Sequence, residues 1–174
     1  MNMLNLAYFL TRAARLHPER TAIVHEKGTT DYRSLDQRVG RLAGALLGLG
    51  LQRGDRVGIV VEIEPRAIEC LLAPLRAGLV LVPMNPRLHA SEYAFMLRKC
   101  GAKALLVSRE RLDDLLAIRD EMPDVKHVIG LDVSANQNVI DYEGLLVDTQ
   151  AIPDVEITDD ELAWIFFTSG TTGH

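Results

Sequence analysis

Hydrophobic residues recur along the first third of the chain with the period of an α-helix. In residues 34–50 one apolar stripe predicts a helix that ends at Gly50, where glycine can adopt a left-handed cap. Ser34 and Gln37 have the spacing of a capping box at its start. The first twenty residues show the same helical spacing. The members of the stripe are Leu35, Val39, Leu42, Leu46 and Leu49.

Short, almost continuous apolar runs rich in β-branched residues follow, and such runs are typical of strands buried on both faces. Four of them read "GDRVGIVVE", "LVLVPMNP", "AKALLVS" and "KHVIGLD". Helical patterns over residues 65–78, 91–100 and 108–122 separate them. Because strand and helix alternate, the connections must cross over and the strands lie parallel. The sequence therefore predicts an α/β fold, a mostly parallel sheet with helices on both faces.

Three other stretches complete the predicted architecture. "TAIVHEKGTTDY" predicts two short strands with the turn at Lys27-Gly28. Residues 133–160 have mixed polarity and predict a long connection that carries one short helix near residues 142–146. "LAWIFF" has the apolar density of a buried strand, so Trp164 is predicted to lie in the core.

A loop of small residues, "TSGTTG", follows this last apolar run. Glycines allow a positive φ, so that successive backbone N–H groups can converge on one anion. Hydroxyl groups add donors that rotate to follow it. A phosphate-binding loop at the carboxyl end of a strand is one interpretation, and a polar turn or frayed tail is the other, since no lysine follows the last glycine as in the common phosphate-loop pattern. The candidate binding residues are Thr168, Ser169, Gly170, Thr171, Thr172 and Gly173.

Composition limits the classes of partner. With 174 residues and 48% hydrophobic content the chain is long enough to bury a core without a metal or disulfide. The net charge of -5 argues against non-specific nucleic-acid binding, which depends on cationic patches. No stretch approaches the ~20 apolar residues of a transmembrane segment, and the first twenty residues lack the features of a signal peptide. We expect a cytoplasmic protein.

The cysteines, the histidines and a short acidic run are predicted to have structural roles and not catalytic ones. Cys70 and Cys100 form no Cys-x-x-Cys pair and are predicted to be buried, reduced and inert. Asp159 to Glu161 are predicted to be a solvated lead-in to the last strand. Four scattered histidines are predicted to be surface or satisfied core residues, and none is predicted to be catalytic or to bind a metal. They are His17, His25, His89 and His127.

Three blocks, in order, resemble the adenylate-forming superfamily of acyl-CoA synthetases, luciferases and peptide-synthetase adenylation domains. They are "TTDYRSLDQRVGRLAGALLGLGLQRGDRVGIV", "LRAGLVLVPMNPRLHASEYAFMLRKCGAKALLVS" and "FTSGTTG". The resemblance covers nearly the whole chain. Because "MNPRLHASEYAFML" is more similar to acyl-CoA synthetases than to peptide-synthetase modules, a fatty acid or another simple carboxylic acid is the expected substrate.

The resemblance implies an ATP-dependent acid–thiol ligase. Such an enzyme converts a carboxylic acid and MgATP into an acyl-adenylate and pyrophosphate, and coenzyme A is the expected thiol acceptor. By similarity, residues 168–173 would hold the β- and γ-phosphates. The adenine-binding segment, the magnesium-binding glutamate and the catalytic lysine of the family lie downstream of this loop, so no catalytic residue and no metal ligand is assigned within the chain.

In the family the loop reads on into Pro-Lys-Gly. We therefore expect residues 1–174 to be the first part of the large amino-terminal AMP-binding domain, truncated within the loop, inactive alone and without a tightly bound cofactor. His174 is either the native residue before that proline or the remnant of a purification tag. Truncation also predicts open apolar surface around "AWIFF", and with it either self-association or a final strand rearranged from its place in the full enzyme.

Two other functions stay open. The first is a freestanding phosphate- or nucleotide-binding module of doubly wound fold. The second is a non-catalytic interaction domain in which the loop is a tail.

Overall fold

The computed structural model describes residues 5–168, and within them the chain forms six α-helices and seven β-strands. The helices are α1 (Tyr8–Leu16), α2 (Tyr32–Gly48), α3 (Pro65–Arg76), α4 (Ala90–Cys100), α5 (Arg109–Ala117) and α6 (Tyr142–Val147). The strands are β1 (Thr21–His25), β2 (Gly28–Asp31), β3 (Arg56–Val60), β4 (Val80–Pro83), β5 (Ala102–Val107), β6 (His127–Gly130) and β7 (Ile140–Asp141).

The strands from β3 onward form one parallel sheet in the order β4-β3-β5-β6-β7. This confirms the predicted parallel sheet. β1 and β2 form a separate antiparallel hairpin, and Gly28 in its turn has a φ of 143°, a conformation that glycine tolerates best. Because β4 and β5 lie on opposite sides of β3, the direction of strand addition reverses between β3 and β5.

Helices cover both faces of the sheet, as predicted. Along β5, Ala104 and Leu106 belong to one buried cluster, whereas Leu105 and Val107 belong to the other. This alternation follows from the two-residue period of a strand. The first cluster includes residues of α2 and α3, and the second includes residues of α4 and α5. The fold class predicted from the apolar pattern is therefore confirmed.

Helix ends differ from the prediction in two places. α2 begins at Tyr32, and its N-cap is Asp31, whose Oδ1 accepts a hydrogen bond from the Ser34 N–H at 2.7 Å. The predicted capping box at Ser34 is therefore wrong, because an aspartate three residues earlier caps the helix by accepting from the N–H of Ser34. α5 ends at Ala117, and Met122 reaches the core from the short 3-10 turn that follows.

The prediction of a buried final strand is wrong. "LAWIFF" forms no strand, and its one β-bridge joins Trp164 to Leu81 in a parallel sense. Trp164 is 45% exposed, so its predicted place in the core is also wrong. The segment lies beside the edge strand β4, and only one of its sides contacts the remainder of the described chain. High apolar density predicts burial only where another element covers the second side.

A buried polar cluster joins α2, α3 and α6. Glu69 on α3 is buried and accepts a hydrogen bond of 2.6 Å from the hydroxyl of Tyr142. Arg38 on α2 donates its Nε–H to Glu69 at 2.8 Å and its terminal groups to Glu143. Burial raises the pKa of Tyr142, so its hydroxyl stays protonated and able to donate. The predicted short helix near residues 142–146 is thereby confirmed as α6 and fixed to the main core.

Candidate functional site

The predicted phosphate-binding loop begins where the described chain ends. Thr168 is described and is exposed at the end of the "LAWIFF" segment. The other five candidate residues lie outside the described residues: Ser169, Gly170, Thr171, Thr172 and Gly173. The geometry that precedes the loop is therefore what the structure contributes to this site.

The segment that leads to the loop runs parallel to β4. The N–H of Leu81 donates to the carbonyl oxygen of Ala163 at 2.9 Å, and the N–H of Ile165 donates to the carbonyl oxygen of Leu81 at 2.9 Å. Phe167 packs against the cluster that contains α4. Since β3 to β7 are parallel to one another, Thr168 leaves the segment toward the edge of the sheet where the strands have their carboxyl ends. Ligands of open α/β sheets bind at this edge.

A buried arginine anchors the connection between α6 and the "LAWIFF" segment. The side chain of Arg76, at the end of α3, is 2% exposed. Its Nε–H donates to Asp154 at 2.9 Å, and its terminal N–H groups donate to Thr11 Oγ1 and to the main-chain oxygen of Asp36, each at 2.8 Å. It also pairs with the carboxylate of Asp36. α1, α2 and α3 thus hold the connection at one point.

Main-chain hydrogen bonds extend this anchor along the connection. The N–H of Val155 donates to the carbonyl oxygen of Arg76 at 3.0 Å, and the N–H of Ile152 donates to that of Gly40 at 3.1 Å. Asn5 Nδ2 also donates to the carbonyl oxygen of Val155 at 3.1 Å. The connection is therefore docked along α2 and α3.

Glu161 is not merely solvated, in contrast to the prediction for the acidic run. Its carboxylate pairs with Arg53 and accepts a hydrogen bond from the N–H of Thr158. These contacts, with the Arg53 bond as the largest, lower the pKa of Glu161 to about 2. The carboxylate is therefore charged at neutral pH and holds the start of "LAWIFF" near the turn before β3.

Side chains bridge the loops at the point where strand order reverses. Ser108, after β5, accepts a hydrogen bond at its Oγ from the N–H of Glu62, after β3, at 2.9 Å. Arg66 binds Glu64 at 2.7 Å and pairs with Asp132 after β6. The Arg66 bond lowers the pKa of Asp132. Side chains of the loops after β3, β5 and β6 thus bind one another where the strand order reverses. The carboxyl edge beside β4 is therefore the better candidate for a ligand site. Sequence patterns gave no signal for these pairs, which join distant parts of the chain.

Other chemistry at the described residues is limited. Cys70 is buried, whereas Cys100 is only half-buried, so the predicted burial is right for one thiol and wrong for the other. Burial raises the pKa of both thiols. His89 caps α4 together with Glu92, which is a structural role. Within residues 5–168 no three His, Cys, Asp or Glu side chains are grouped to hold a metal ion, and no helix there is long and apolar enough to span a membrane.

Comparison with known proteins places the chain in a family. The model of the AMP-binding enzymes matches residues 10–174. A long-chain-fatty-acid–CoA ligase of Thermus thermophilus is 35% identical over 174 residues, which cover 98% of this chain and 32% of that protein. The phosphinothricin tripeptide synthetase PhsC of Streptomyces viridochromogenes is 37% identical over 165 residues, 94% of this chain and 14% of the synthetase.

Solved structures agree on the fold. The anthranilate CoA ligase AuaEII, crystallised with anthranoyl-AMP, superposes with a TM-score of 0.94 at 21% identity over 99% of this chain and 34% of the ligase. The chain thus spans about a third of the length of these ligases. Together with the family match over almost all of its residues, these similarities establish that the chain belongs to the AMP-binding enzymes, the adenylate-forming superfamily that its three sequence blocks resemble.

Proposed function

We propose that the chain is part of an ATP-dependent acid–thiol ligase and supplies the loop that holds the outer phosphates of ATP. The observation that carries the proposal is the direction of the "LAWIFF" segment. It runs parallel to β4 and leaves Thr168 at the carboxyl edge of the sheet, and in this sequence the loop motif begins there. Residues 1–174 are then the first part of the AMP-binding domain, and the remainder of the site belongs to further residues of the enzyme.

The reaction proceeds in two steps. A carboxylate oxygen of the acid attacks the α-phosphorus of MgATP, and the bond from that phosphorus to the oxygen bridging to the β-phosphate breaks, so that pyrophosphate leaves. The thiolate of coenzyme A then attacks the acyl carbon and displaces AMP. Negative charge grows on the departing pyrophosphate, and donors that already point at it lower the barrier.

Within this chain, residues 168–173 would act on the leaving group. Their N–H groups and hydroxyls would donate to the oxygens of the β- and γ-phosphates. The anchors at Arg76 and Arg53 support this role, because they fix the connection before the loop to α3 and to the turn before β3. Donors fixed in advance need little reorganisation when charge develops.

We also propose which carboxylic acid the enzyme activates and which thiol accepts the acyl group. The likeness of "MNPRLHASEYAFML" to acyl-CoA synthetases favours a fatty or other simple carboxylic acid and coenzyme A. An adenylation module of a peptide synthetase is the second candidate, because the 37% identical relative is a tripeptide synthetase.

The 174-residue chain alone is expected to bind MgATP with a Kd of about 1 mM or weaker, equivalent to about -4 kcal/mol at most. Few groups would contact the nucleotide, and the family's lysine after the loop is not among these residues. In ¹H–¹⁵N NMR spectra, millimolar MgATP should shift the amide signals of residues 168–173 and release no pyrophosphate. Gly170→Val should remove the shift, since a side chain there would hold the phosphate away from the backbone.

Gly48→Val is the matched control, because a Cβ placed at Gly48 meets nothing within 4 Å beyond the adjacent helix backbone. It should leave the MgATP-dependent shifts unchanged. A micromolar Kd would instead favour a freestanding nucleotide-binding module. Absence of any shift in residues 168–173 would favour an interaction domain and contradict the proposed role of the loop.

We also propose that the isolated chain self-associates through its last apolar segment. Leu162, Trp164 and Phe166 are 58%, 45% and 62% exposed and lie on one side of an extended segment. The rings of Trp164 and Phe166 are 5.3 Å apart between centroids. Static light scattering should give an apparent mass that rises with concentration. The double variant Trp164→Ser, Phe166→Ser should lower that mass to the monomer value, and a wild-type chain that stays monomeric at high concentration would contradict the proposal.

A further inference from the structure

The first helix has a well-fixed inner side. On α1, Leu10 is buried in the main core. Thr11 accepts a hydrogen bond from Arg76 at 2.8 Å and donates to Asp154 at 3.1 Å. These contacts determine which side of α1 faces away from the protein.

The outer side of α1 carries an apolar stripe. Phe9, Ala13 and Leu16 are spaced by four and three positions, which places them in one row along α1. Phe9 is 65% exposed and Leu16 is 51% exposed. Within residues 5–168 the helix therefore presents a second apolar row that faces solvent, opposite the row that it buries.

Positive charge surrounds this stripe. Arg12 lies between Phe9 and Leu16 on the same side of the helix, and Arg15 follows one turn later; both are exposed. Neither takes part in an ion pair with any other described residue. The stripe together with Arg12 and Arg15 is called the α1 outer face.

More arginines stand at the carboxyl end of the helix. Arg20 follows α1 in the turn to β1, and its carbonyl oxygen accepts the N–H of Tyr32 at 3.0 Å. The N–H of Arg33 donates to the carbonyl oxygen of Pro18 at 3.0 Å, which brings Arg33 to the same place. Glu19 is the one acid of residues 5–20, and it lies 3.7 Å from Arg33. Four arginines stand near two acids here, Glu19 and Asp31, the second of which pairs with Thr21 in the β1–β2 hairpin, whereas the whole chain carries a net charge of -5.

We propose that the α1 outer face binds the surface of an anionic lipid bilayer, with α1 lying in the plane of the interface. A helix with large apolar side chains in one row and arginines beside it binds such surfaces by burying the apolar row and placing the cations among the head groups. Arginine stems can lie along the acyl boundary while their guanidinium groups stay at the level of the phosphates. The acidic remainder of the chain would be repelled, so the molecule would dock in one orientation.

Charge argues against a second copy of this chain as the occupant. Two outer faces packed together would bring the unpaired Arg12 and Arg15 side chains of both copies close to one another. The shape of the α1 outer face favours a planar partner, such as a bilayer surface, over a groove in another protein. Phe9 and Leu16 project from the convex side of a single helix only about 14 Å long. An acidic protein surface is the competing partner, and the experiment separates it from lipid.

The test is sedimentation of the 174-residue chain with vesicles of phosphatidylcholine alone or with roughly 30% phosphatidylserine, an anionic lipid of the kind that attracts basic segments. The chain should bind the anionic vesicles about tenfold more strongly than the neutral ones. Raising the ionic strength from about 0.05 to 0.5 M should weaken the binding, since salt screens the attraction. Two double variants, Phe9→Ser with Leu16→Ser and Arg12→Gln with Arg15→Gln, should each lower it about tenfold.

Three controls should keep wild-type binding. Ile63→Ser removes an exposed apolar side chain that stands between two glutamates. Arg98→Gln with Lys99→Gln removes two cations from the last turn of α4. Trp164→Ser with Phe166→Ser removes the other exposed apolar cluster, which separates this proposal from the proposed self-association. Circular dichroism at equal temperature confirms that each variant is folded.

Four outcomes would overturn the proposal. They are no binding to anionic vesicles, equal binding to both vesicle types, unchanged binding by the two α1 double variants, and binding of soluble polyglutamate by a chain that does not bind anionic vesicles. The last of these would assign the face to an acidic protein. A dimer that forms through Phe9 and Leu16 without vesicle binding would assign it to a second copy.

Discussion

Replacing Arg76 by methionine is expected to lower the free energy of unfolding by about 3 kcal/mol, because removing one partner of a buried ionic group leaves the others uncompensated. Methionine has a similar length, so the change tests charge and hydrogen bonding more than volume. Asp154 would lose its Nε–H donor at 2.9 Å, and Asp36 and Thr11 would lose theirs. Urea denaturation followed by circular dichroism measures the loss.

Hydrogen exchange adds a local readout of the same variant. The N–H groups of Ile152 and Val155 bind carbonyl oxygens of Gly40 and Arg76, and their protection should fall more than that of the β5 amides. This result would show that Arg76 holds the connection before the loop, besides contributing to global stability.

A conservative substitution separates charge from geometry at the same position. Arg76→Lys should recover only part of the loss, because an ammonium group cannot reproduce the fork that reaches Asp154, Asp36 and Thr11 together. Arg41→Met on the exposed side of α2 is the matched control and should change stability by less than about 0.5 kcal/mol. A wild-type midpoint for Arg76→Met would contradict the role given to this side chain.

The parallel sheet was predictable because its signal is local. β3 and β5 are short runs of aliphatic residues, and such runs between amphipathic helices have few alternatives to a sheet covered on both faces. The ends of α2 and α4 were predictable for the same reason. Gly50 and Gly101 have φ values of 90° and 64°, the left-handed conformation that glycine adopts without steric cost.

The contacts that fix the connection were not predictable, because they join positions far apart in the chain. Thr11 and Asp154 are 143 positions apart, and nothing in the apolar stripe of α3 marks Arg76 as buried. Trp164 shows the opposite error. Its neighbours are apolar, but burial depends on what covers the segment, and that information is absent from a window of six residues.

The candidate loop depended on a different kind of inference. Spacing alone left a phosphate-binding loop and a polar tail open, and the resemblance of three blocks favoured the first. Of the six candidate residues the structure describes Thr168, and it supplies the path that leads there. The roles proposed for residues 169–173 rest on the family motif, and the NMR titration with Gly170→Val tests them.

Two glycines on α2 should respond to the same substitution with opposite signs. In a helix interior, alanine is a better helix former than glycine by up to about 1 kcal/mol. Because Gly48 is the last residue of α2, Gly48→Ala should raise the free energy of unfolding by only a few tenths of about 1 kcal/mol. A side chain at Gly48 would meet nothing within 4 Å. At Gly44, a Cβ would lie 2.8 Å from the carbonyl oxygen of Gln150, which is main chain and cannot rotate away.

Gly44→Ala should therefore lose about 1–2 kcal/mol despite the better helix propensity, since the connection must move off α2. For a chain of this length the expected changes in Tm are a fall of a few degrees for Gly44→Ala and a small rise for Gly48→Ala. Differential scanning calorimetry measures both.

Close approach explains why α2 has a glycine at this point of contact. The Thr149 and Ile152 side chains also lie within 3.3 Å of the Gly44 Cβ position, so the connection is pressed against the helix backbone over a full turn. If the connection were only loosely laid on α2, it would shift at little cost and Gly44→Ala would stabilise the chain as Gly48→Ala does. That outcome would mean that the path to Thr168 is set by Arg76 and Arg53 alone, whereas a loss at Gly44 means that the surface of α2 also determines where the loop begins.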